Sequence, residues 1–243
     1  MTATGPTGPG FDPPVRHPWA DLPLRLADLV IIVALAVGAL LALRLFLTPR
    51  EITSGLVISF LIGQNVALVA IIWLIAVVWR RTPRHALGFV SPGGRWYRRV
   101  VPLALLVQVA VILTNVLISL ALGEPFDNPQ IALIMPDPGD WTAMVGILLA
   151  TSLLAPFAEE LALRAVLYGW LRRHAGPLLS ALVSAMVFAM LHGSLILLPG
   201  TFLVGLVLAW VYERSGSLLP CILLHGCFNA ISTLLVFAVA ANA

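Results

Sequence analysis

Long apolar runs dominate the chain from residue 24 onward, and short polar or glycine- and proline-rich stretches separate them. Most of these runs approach or exceed the about 20 residues that a helix needs to cross a bilayer. They cover residues 24–47, 55–79, 100–122, 141–171, 178–198, 201–212 and 218–240. The sixth run is short, so the pattern allows between six and eight spans. It predicts an all-α fold, a polytopic transmembrane helix bundle of about seven spans.

The composition agrees with a membrane protein. Hydrophobic residues make up 60% of the 243 residues and charged residues only 10%, whereas a soluble domain carries about 25% charged residues. The net charge of +3 comes from arginines near the ends of the apolar runs, because the chain contains no lysine. We therefore expect the lipid bilayer as a partner and no nucleic acid. The two cysteines, Cys221 and Cys227, suggest packing residues and neither a disulfide framework nor a zinc knuckle.

The charged loops predict the orientation. Residues 80–99 contain six arginines and no acid, whereas residues 123–140 contain four acids and no base. The positive-inside rule places the arginine-rich loop in the cytoplasm. A multi-pass protein of the cell membrane with a cytoplasmic N-terminus follows. Residues 1–23 are rich in glycine and proline, which predicts a disordered cytoplasmic tail. Residues 24–140 then form N-terminal membrane helices and loops.

Polar side chains interrupt three apolar runs in the C-terminal half. Ionisable groups at membrane depth cost several kcal/mol and therefore usually have a function. A helix rises by about 1.5 Å per residue, so the distance of each polar residue from the cytoplasmic end of its helix can be compared. Glu159, His192, His225 and Asn229 lie within about two helical turns of one another in this depth. The residues are Glu159, Glu160 and Arg164, then His192, then His225 and Asn229. Their depth allows acid, base and amide groups from three helices to converge on one site.

The local spacing separates these residues by role. Glu160 and Arg164 are four apart, which favours an ion pair on one helix face. Glu159 projects about 100° away from Glu160 and is left for another role. His225 and Asn229 are also four apart and share a face. Pro156 frees a backbone carbonyl, which neighbouring helices or water have to satisfy.

Three motifs carry a resemblance to a known family. The stretch from Glu159 to Arg164 reads EExxxR, Phe188 to His192 reads FxxxH, and His225 to Asn229 reads HxxxN. In this order on successive membrane segments, they resemble the CPBP intramembrane protease family, which includes type II CAAX prenyl endopeptidases and bacterial bacteriocin-processing proteins. The resemblance covers residues 141–240, which we interpret as the catalytic helix core.

The resemblance implies an intramembrane endopeptidase that hydrolyses a membrane-associated protein or peptide. Glu159 would activate a water molecule, which His192 would hold or help to deprotonate. His225 and Asn229 would stabilise the oxyanion. Glu160 and Arg164 would orient the site.

The sequence does not assure any cofactor. Glu159, His192 and His225 are the candidate ligands for a divalent metal such as zinc. The chain has no HExxH motif, the compact zinc-protease signature. A metal-free mechanism based on the glutamate is compatible with the same side chains, and we favour it.

Other interpretations of the same residues remain open. His192 alone is typical of a polar packing contact, Glu160 and Arg164 of a structural ion pair, and Asn229 of an interhelical hydrogen bond. Acidic and histidine side chains also form proton relays, so a proton-coupled transporter is an alternative function. A non-catalytic membrane scaffold or immunity factor is a further alternative.

Overall fold

The computed structural model describes residues 17–47, 53–134 and 140–240. Within these ranges the long elements are all helices and no strand is formed, which confirms the predicted all-α bundle. Two short 3₁₀ helices, Pro18–Asp21 and Arg84–Leu87, lie among them. The described ranges contain eight longer helical elements: α1 (Leu26–Leu47), α2 (Ser54–Trp79), α3 (Gly94–Leu122), α4 (Pro129–Ile134), α5 (Trp141–His174), α6 (Pro177–Leu191), α7 (Leu198–Ser215) and α8 (Leu219–Ala240).

Five of these helices are long and apolar enough to cross a membrane: α1, α2, α3, α5 and α8. The fifth and sixth apolar runs of the sequence correspond to α6, with 15 residues, and α7, with 18 residues. These two helices pack closely along each other. A Cβ atom added at Gly205 of α7 would lie 2.8 Å from the Cα atom of Ala185 in α6.

The fifth apolar run ends earlier as a helix than its composition suggested. The run extends to residue 198, but α6 ends at Leu191 and His192 is its C-cap residue. Gly193 adopts a left-handed backbone conformation with φ of 69°, which terminates the helix. His192 therefore lies at a helix end and not in the middle of a span.

Residues 17–23 pack against the bundle, although the glycine and proline content of residues 1–23 predicts a disordered tail. Residues 1–16 lie outside the described residues. Trp19 and Leu22 are only 5% and 1% exposed. The ring of Trp19 packs against those of Tyr168 and Tyr212, with centroid distances of 5.8 and 5.5 Å. Apolar burial of these two side chains overrides the local composition.

Helix α5 is the most buried of the five candidate spans, with 39% of its apolar window inside the bundle. It is also the most irregular. Two π-helical turns, Ala150–Leu154 and Leu161–Tyr168, flank the regular stretch Ala155–Glu160. Single π turns within α-helices often occur at functional sites. The acidic pair of the sequence lies at the end of the regular stretch, between the two π turns.

We predict that Trp19→Ala destabilises the bundle. The substitution removes a buried indole that packs on two tyrosine rings and lies beneath the Arg172 guanidinium, 5.4 Å from the ring centroid. Truncation of a buried tryptophan costs about 3–5 kcal/mol. The melting temperature in detergent micelles should fall by several degrees. Trp141→Ala is the control, because Trp141 is 73% exposed. Equal melting temperatures for the two variants would contradict the packing of residues 17–23.

Candidate active site

The Glu160 carboxylate lies at the centre of a buried polar cluster. Its Oε1 atom accepts one hydrogen bond from Arg164 Nη1 and another from His225 Nδ1, both at 2.9 Å. Glu160 and Arg164 are fully buried and His225 is 2% exposed. The ion pair predicted from the four-residue spacing is confirmed. The cluster joins α5 to α8 through a single oxygen atom.

Arg164 extends this cluster to the two shorter helices. Its Nη2 atom donates to the Gly205 carbonyl oxygen of α7 at 3.0 Å. Its guanidinium carbon lies 5.1 Å from the centroid of the Phe188 ring of α6. A planar guanidinium suits both contacts, because it donates in its plane and stacks through its face. The Arg164 side chain therefore connects α5 with α6 and α7.

Glu159 has a different environment from its neighbour. Its side chain is 30% exposed, and its Oε2 atom lies 3.8 Å from His225 Nε2. This distance is too long for a hydrogen bond but keeps the two groups in electrostatic contact. The two adjacent acids thus address opposite nitrogens of one imidazole ring, and only Glu159 is open to a ligand.

His192 packs against the Phe188 ring, which also contacts the ring of His225. Its ring centroid is 4.8 Å from that of Phe188, and the His225 centroid is 5.4 Å from Phe188. His192 Nδ1 hydrogen-bonds to the Phe188 carbonyl oxygen at 2.9 Å. Because a carbonyl can only accept, Nδ1 carries the hydrogen, and Nε2 of the neutral ring is an acceptor. The structure does not bring His192 into a hydrogen bond with either acid.

Asn229 shares the α8 face of His225, as its spacing predicted, but its amide is already engaged. Asn229 Nδ2 donates to the Thr151 carbonyl oxygen of α5 at 2.9 Å. The remaining amide hydrogen has no acceptor among the described residues. Asn229 therefore forms an interhelical hydrogen bond and keeps one donor for a ligand.

A glycine allows this close approach of α5 and α8. A Cβ atom at Gly226 would lie 2.5 Å from the Ser152 carbonyl oxygen, a separation that real Cβ atoms do not show. Gly226 is flanked by His225 and Cys227, so the contact lies beside the buried cluster. Cys227 and Cys221 are free thiols, and Cys221 is fully buried, in keeping with packing roles.

The motifs do not reveal every residue that supports these side chains. Gln130 of α4 donates from Nε2 to the His192 carbonyl oxygen at 3.1 Å. Thr151 and Thr233 contact each other through their hydroxyl oxygens at 3.3 Å. Thr233 follows Asn229 by four residues, so helical spacing could have revealed it. Gln130 lies in the short helix α4, 62 residues from His192 in the sequence, and no local pattern predicts the contact.

The candidate metal donors predicted from the sequence, Glu159, His192 and His225, are already partly engaged by other groups. No group of three His, Cys, Asp or Glu side chains in the described part of the chain is close enough to hold a metal ion. His225 Nδ1 is bound to Glu160 and His192 Nδ1 to a backbone carbonyl, which leaves one nitrogen on each ring. Zinc requires three protein ligands around one point in catalytic sites.

Comparison with known proteins bears on the C-terminal half. Residues 141–231 match the family model described as type II CAAX prenyl endopeptidase Rce1-like. The predicted resemblance of this segment to CAAX-type proteases is confirmed. No curated protein and no solved structure matches the chain. The match covers the segment that carries all three motifs, and together with the five apolar helices it supports a multi-pass membrane protein.

We predict that Gly226→Ala disturbs the site, because its new methyl group collides with the Ser152 backbone. Overpacking of a close contact costs about 1–3 kcal/mol, and here the obstacle is backbone that cannot rotate away. The melting temperature in detergent should fall. Gly94→Ala is the control, since a Cβ atom there meets nothing within 4 Å. An unchanged melting temperature for Gly226→Ala would disprove the tight α5–α8 contact.

We also predict that the two adjacent acids differ in their effect on stability. Glu160→Gln removes the charge that compensates Arg164 in a fully buried pair, which costs about 3–5 kcal/mol. Glu159→Gln removes no hydrogen bond and affects a side chain that is 30% exposed. The melting temperature in detergent should therefore fall for Glu160→Gln and stay close to that of the wild type for Glu159→Gln. The reverse order would contradict the arrangement.

Proposed function

We propose that the chain is an intramembrane endopeptidase that hydrolyses a peptide bond in a membrane-associated protein or peptide. The observation that carries this proposal is the pair of adjacent acids around one imidazole. Glu160 is buried and bound to Arg164 and His225 Nδ1, whereas Glu159 is accessible beside His225 Nε2. The family match at residues 141–231 supports an intramembrane CAAX-type endopeptidase in general.

Glu159 is the general base of the proposed reaction. It removes a proton from a water molecule, whose oxygen attacks the carbonyl carbon of the scissile bond. The same proton then passes to the leaving nitrogen as the carbon–nitrogen bond breaks. The products are an amine and a carboxylic acid, which then loses its proton. His192 holds the attacking water, because its Nε2 atom is an acceptor once Nδ1 donates to Phe188.

His225 and Asn229 stabilise the oxyanion of the tetrahedral intermediate. Asn229 contributes its second amide hydrogen, and His225 contributes its Nε2 position, since its Nδ1 is held by Glu160. Each oxyanion donor contributes about 3–4 kcal/mol to transition-state stabilisation.

The proposed mechanism uses no metal. This choice is supported by the positions of the possible metal ligands among the described residues. Glu159, His192 and His225 do not form a group of three side chains that could bind one ion. All proton transfers run through Glu159. Glu160 and Arg164 orient the cluster and do not touch the substrate.

The proposed location is the cell membrane, with the arginine-rich loop of residues 80–99 and the N-terminus in the cytoplasm. Arg81, Arg84, Arg95, Arg98 and Arg99 are exposed, which suits anionic lipid headgroups. The substrate reaches the site from the cytoplasmic side or laterally from the lipid.

The test is quantitative mass spectrometry of new protein N-termini in membranes from cells that produce the wild type or Glu159→Gln. New termini should appear with the wild type and fall at least about 100-fold with Glu159→Gln, because the general base is lost. Glu124→Gln is the matched control, since Glu124 is an exposed acid in the loop before α4. Cleavage should persist after treatment with a zinc chelator.

Two outcomes would contradict the proposal. Identical sets of termini with the wild type and Glu159→Gln would remove Glu159 from the mechanism. Proton-coupled flux across vesicles that requires Glu159, without any new termini, would favour the transporter instead.

A further inference from the structure

The Thr151 carbonyl of α5 lacks both the donor of an α turn, Ala155, and the donor of a π turn, Pro156. In the π turn, the Ala155 N–H donates to the Ala150 carbonyl oxygen and is not available to Thr151. The next residue that could donate is Pro156, which has no N–H. The π turn and the proline together deprive the Thr151 carbonyl of its regular helical donors inside an apolar helix, where an unpaired polar group is costly.

Asn229 of α8 donates a hydrogen bond to this carbonyl oxygen. Its Nδ2 atom lies 2.9 Å from the Thr151 oxygen. A carbonyl can only accept, so the contact determines which end of the amide faces α5. One amide hydrogen is held by Thr151, and the direction of the other is set by the amide plane. The orientation of the Asn229 side chain therefore depends on the Thr151 carbonyl that the π turn and Pro156 leave available in α5.

A second contact holds the same two helices one turn further on. The Thr151 hydroxyl donates to the Ile147 carbonyl oxygen at 2.8 Å, which uses its one hydrogen. In the 3.3 Å contact between Thr151 and Thr233, Thr233 is therefore the donor. Thr233 is 5% exposed, so water does not compete effectively for this bond. Thr233 and Asn229 are four apart and reach the same residue of α5.

We propose that Pro156, Thr151 and Thr233 are positioning residues that orient the Asn229 amide toward the oxyanion of the substrate. Pro156 keeps the Thr151 carbonyl free, and the threonine pair fixes the register of α8 against it. This inference rests on the proposed function for its catalytic consequence, but the geometry of the Asn229 amide can be measured without activity.

The decisive variants restore or remove one polar group at a time. Pro156→Ala introduces an N–H that competes with Asn229 for the carbonyls of the π turn. Thr233→Val removes the hydroxyl at nearly constant volume, and Thr233→Ser keeps it. Thr201→Val is the matched control, since the Thr201 hydroxyl bonds only to carbonyls of its own helix region, Leu197 and Leu198.

The first measurement is the hydrogen exchange of the Asn229 side-chain amide, followed by NMR of the protein in nanodiscs with selectively ¹⁵N-labelled asparagine. The chain has five asparagines, and loss of a signal in Asn229→Asp assigns the resonance. Exchange should accelerate about tenfold in Pro156→Ala and Thr233→Val, as expected for loss or weakening of one hydrogen bond. Thr233→Ser and Thr201→Val should exchange like the wild type.

The second measurement is turnover of a substrate found through its new N-terminus. We expect kcat to fall about tenfold in Pro156→Ala and Thr233→Val with little change in KM, because a displaced donor acts in the transition state. Thr233→Ser should restore kcat. In the Asn229→Ala background, neither substitution should lower kcat further, since the group that they orient is absent.

The outcomes separate the two ideas. Unchanged amide exchange in both Pro156→Ala and Thr233→Val overturns the positioning role, whatever the enzyme does. Faster exchange with an unchanged kcat also overturns it, because the amide orientation then has no catalytic effect. If the wild type cleaves nothing while exchange responds as expected, the proposed function fails and the control of the Asn229 amide stands.

Discussion

The buried carboxylate of Glu160 is the constraint on which the arrangement of the C-terminal helices depends. A charge in a fully buried position has to be compensated, and Glu160 is compensated by Arg164 on its own helix and His225 on α8. Arg164 is equally buried and in turn contacts α6 and α7. The compensation of one carboxylate charge therefore links four helices. Because each partner is specific in distance and direction, this cluster favours one packing of the bundle over the many that apolar surfaces alone would allow.

Backbone polarity imposes a second constraint of the same kind. Pro156 and the preceding π turn leave the Thr151 carbonyl without its regular helical donors, and Asn229 supplies one from α8. Helices α5 and α8 can approach closely because Gly226 has no side chain. Any side chain at this position would collide with the Ser152 carbonyl oxygen. The buried charge of Glu160 and the hydrogen bond to the Thr151 carbonyl thus constrain the same pair of helices, α5 and α8. These helices also carry both acids, His225 and Asn229.

The sequence predicted the parts of this site that depend on spacing within one helix. The Glu160–Arg164 pair and the shared face of His225 and Asn229 follow from a four-residue interval. Contacts between distant segments were out of reach, since Gln130 and His192 are 62 residues apart and follow no local pattern. Composition also led to a wrong prediction at two places. Apolar content extended the fifth span beyond His192, although Gly193 ends α6, and glycine and proline content predicted disorder where Trp19 is buried. Both errors arise because tertiary packing and a single backbone conformation outweigh composition.

The segment that resembles CAAX-type proteases does not support its site alone. The His192 carbonyl, at the end of α6, is bound by Gln130 of α4, which precedes residue 141. Ser232 of α8 donates to Gln108 of α3 at 2.9 Å, on the helix that carries His225 and Asn229. A helix end within an apolar bundle exposes carbonyls that need donors, and a polar face on α8 needs partners on both sides. Helices α3 and α4 meet these needs through Gln108 and Gln130, so they are part of the structure that holds the candidate site and not merely an anchor beside it.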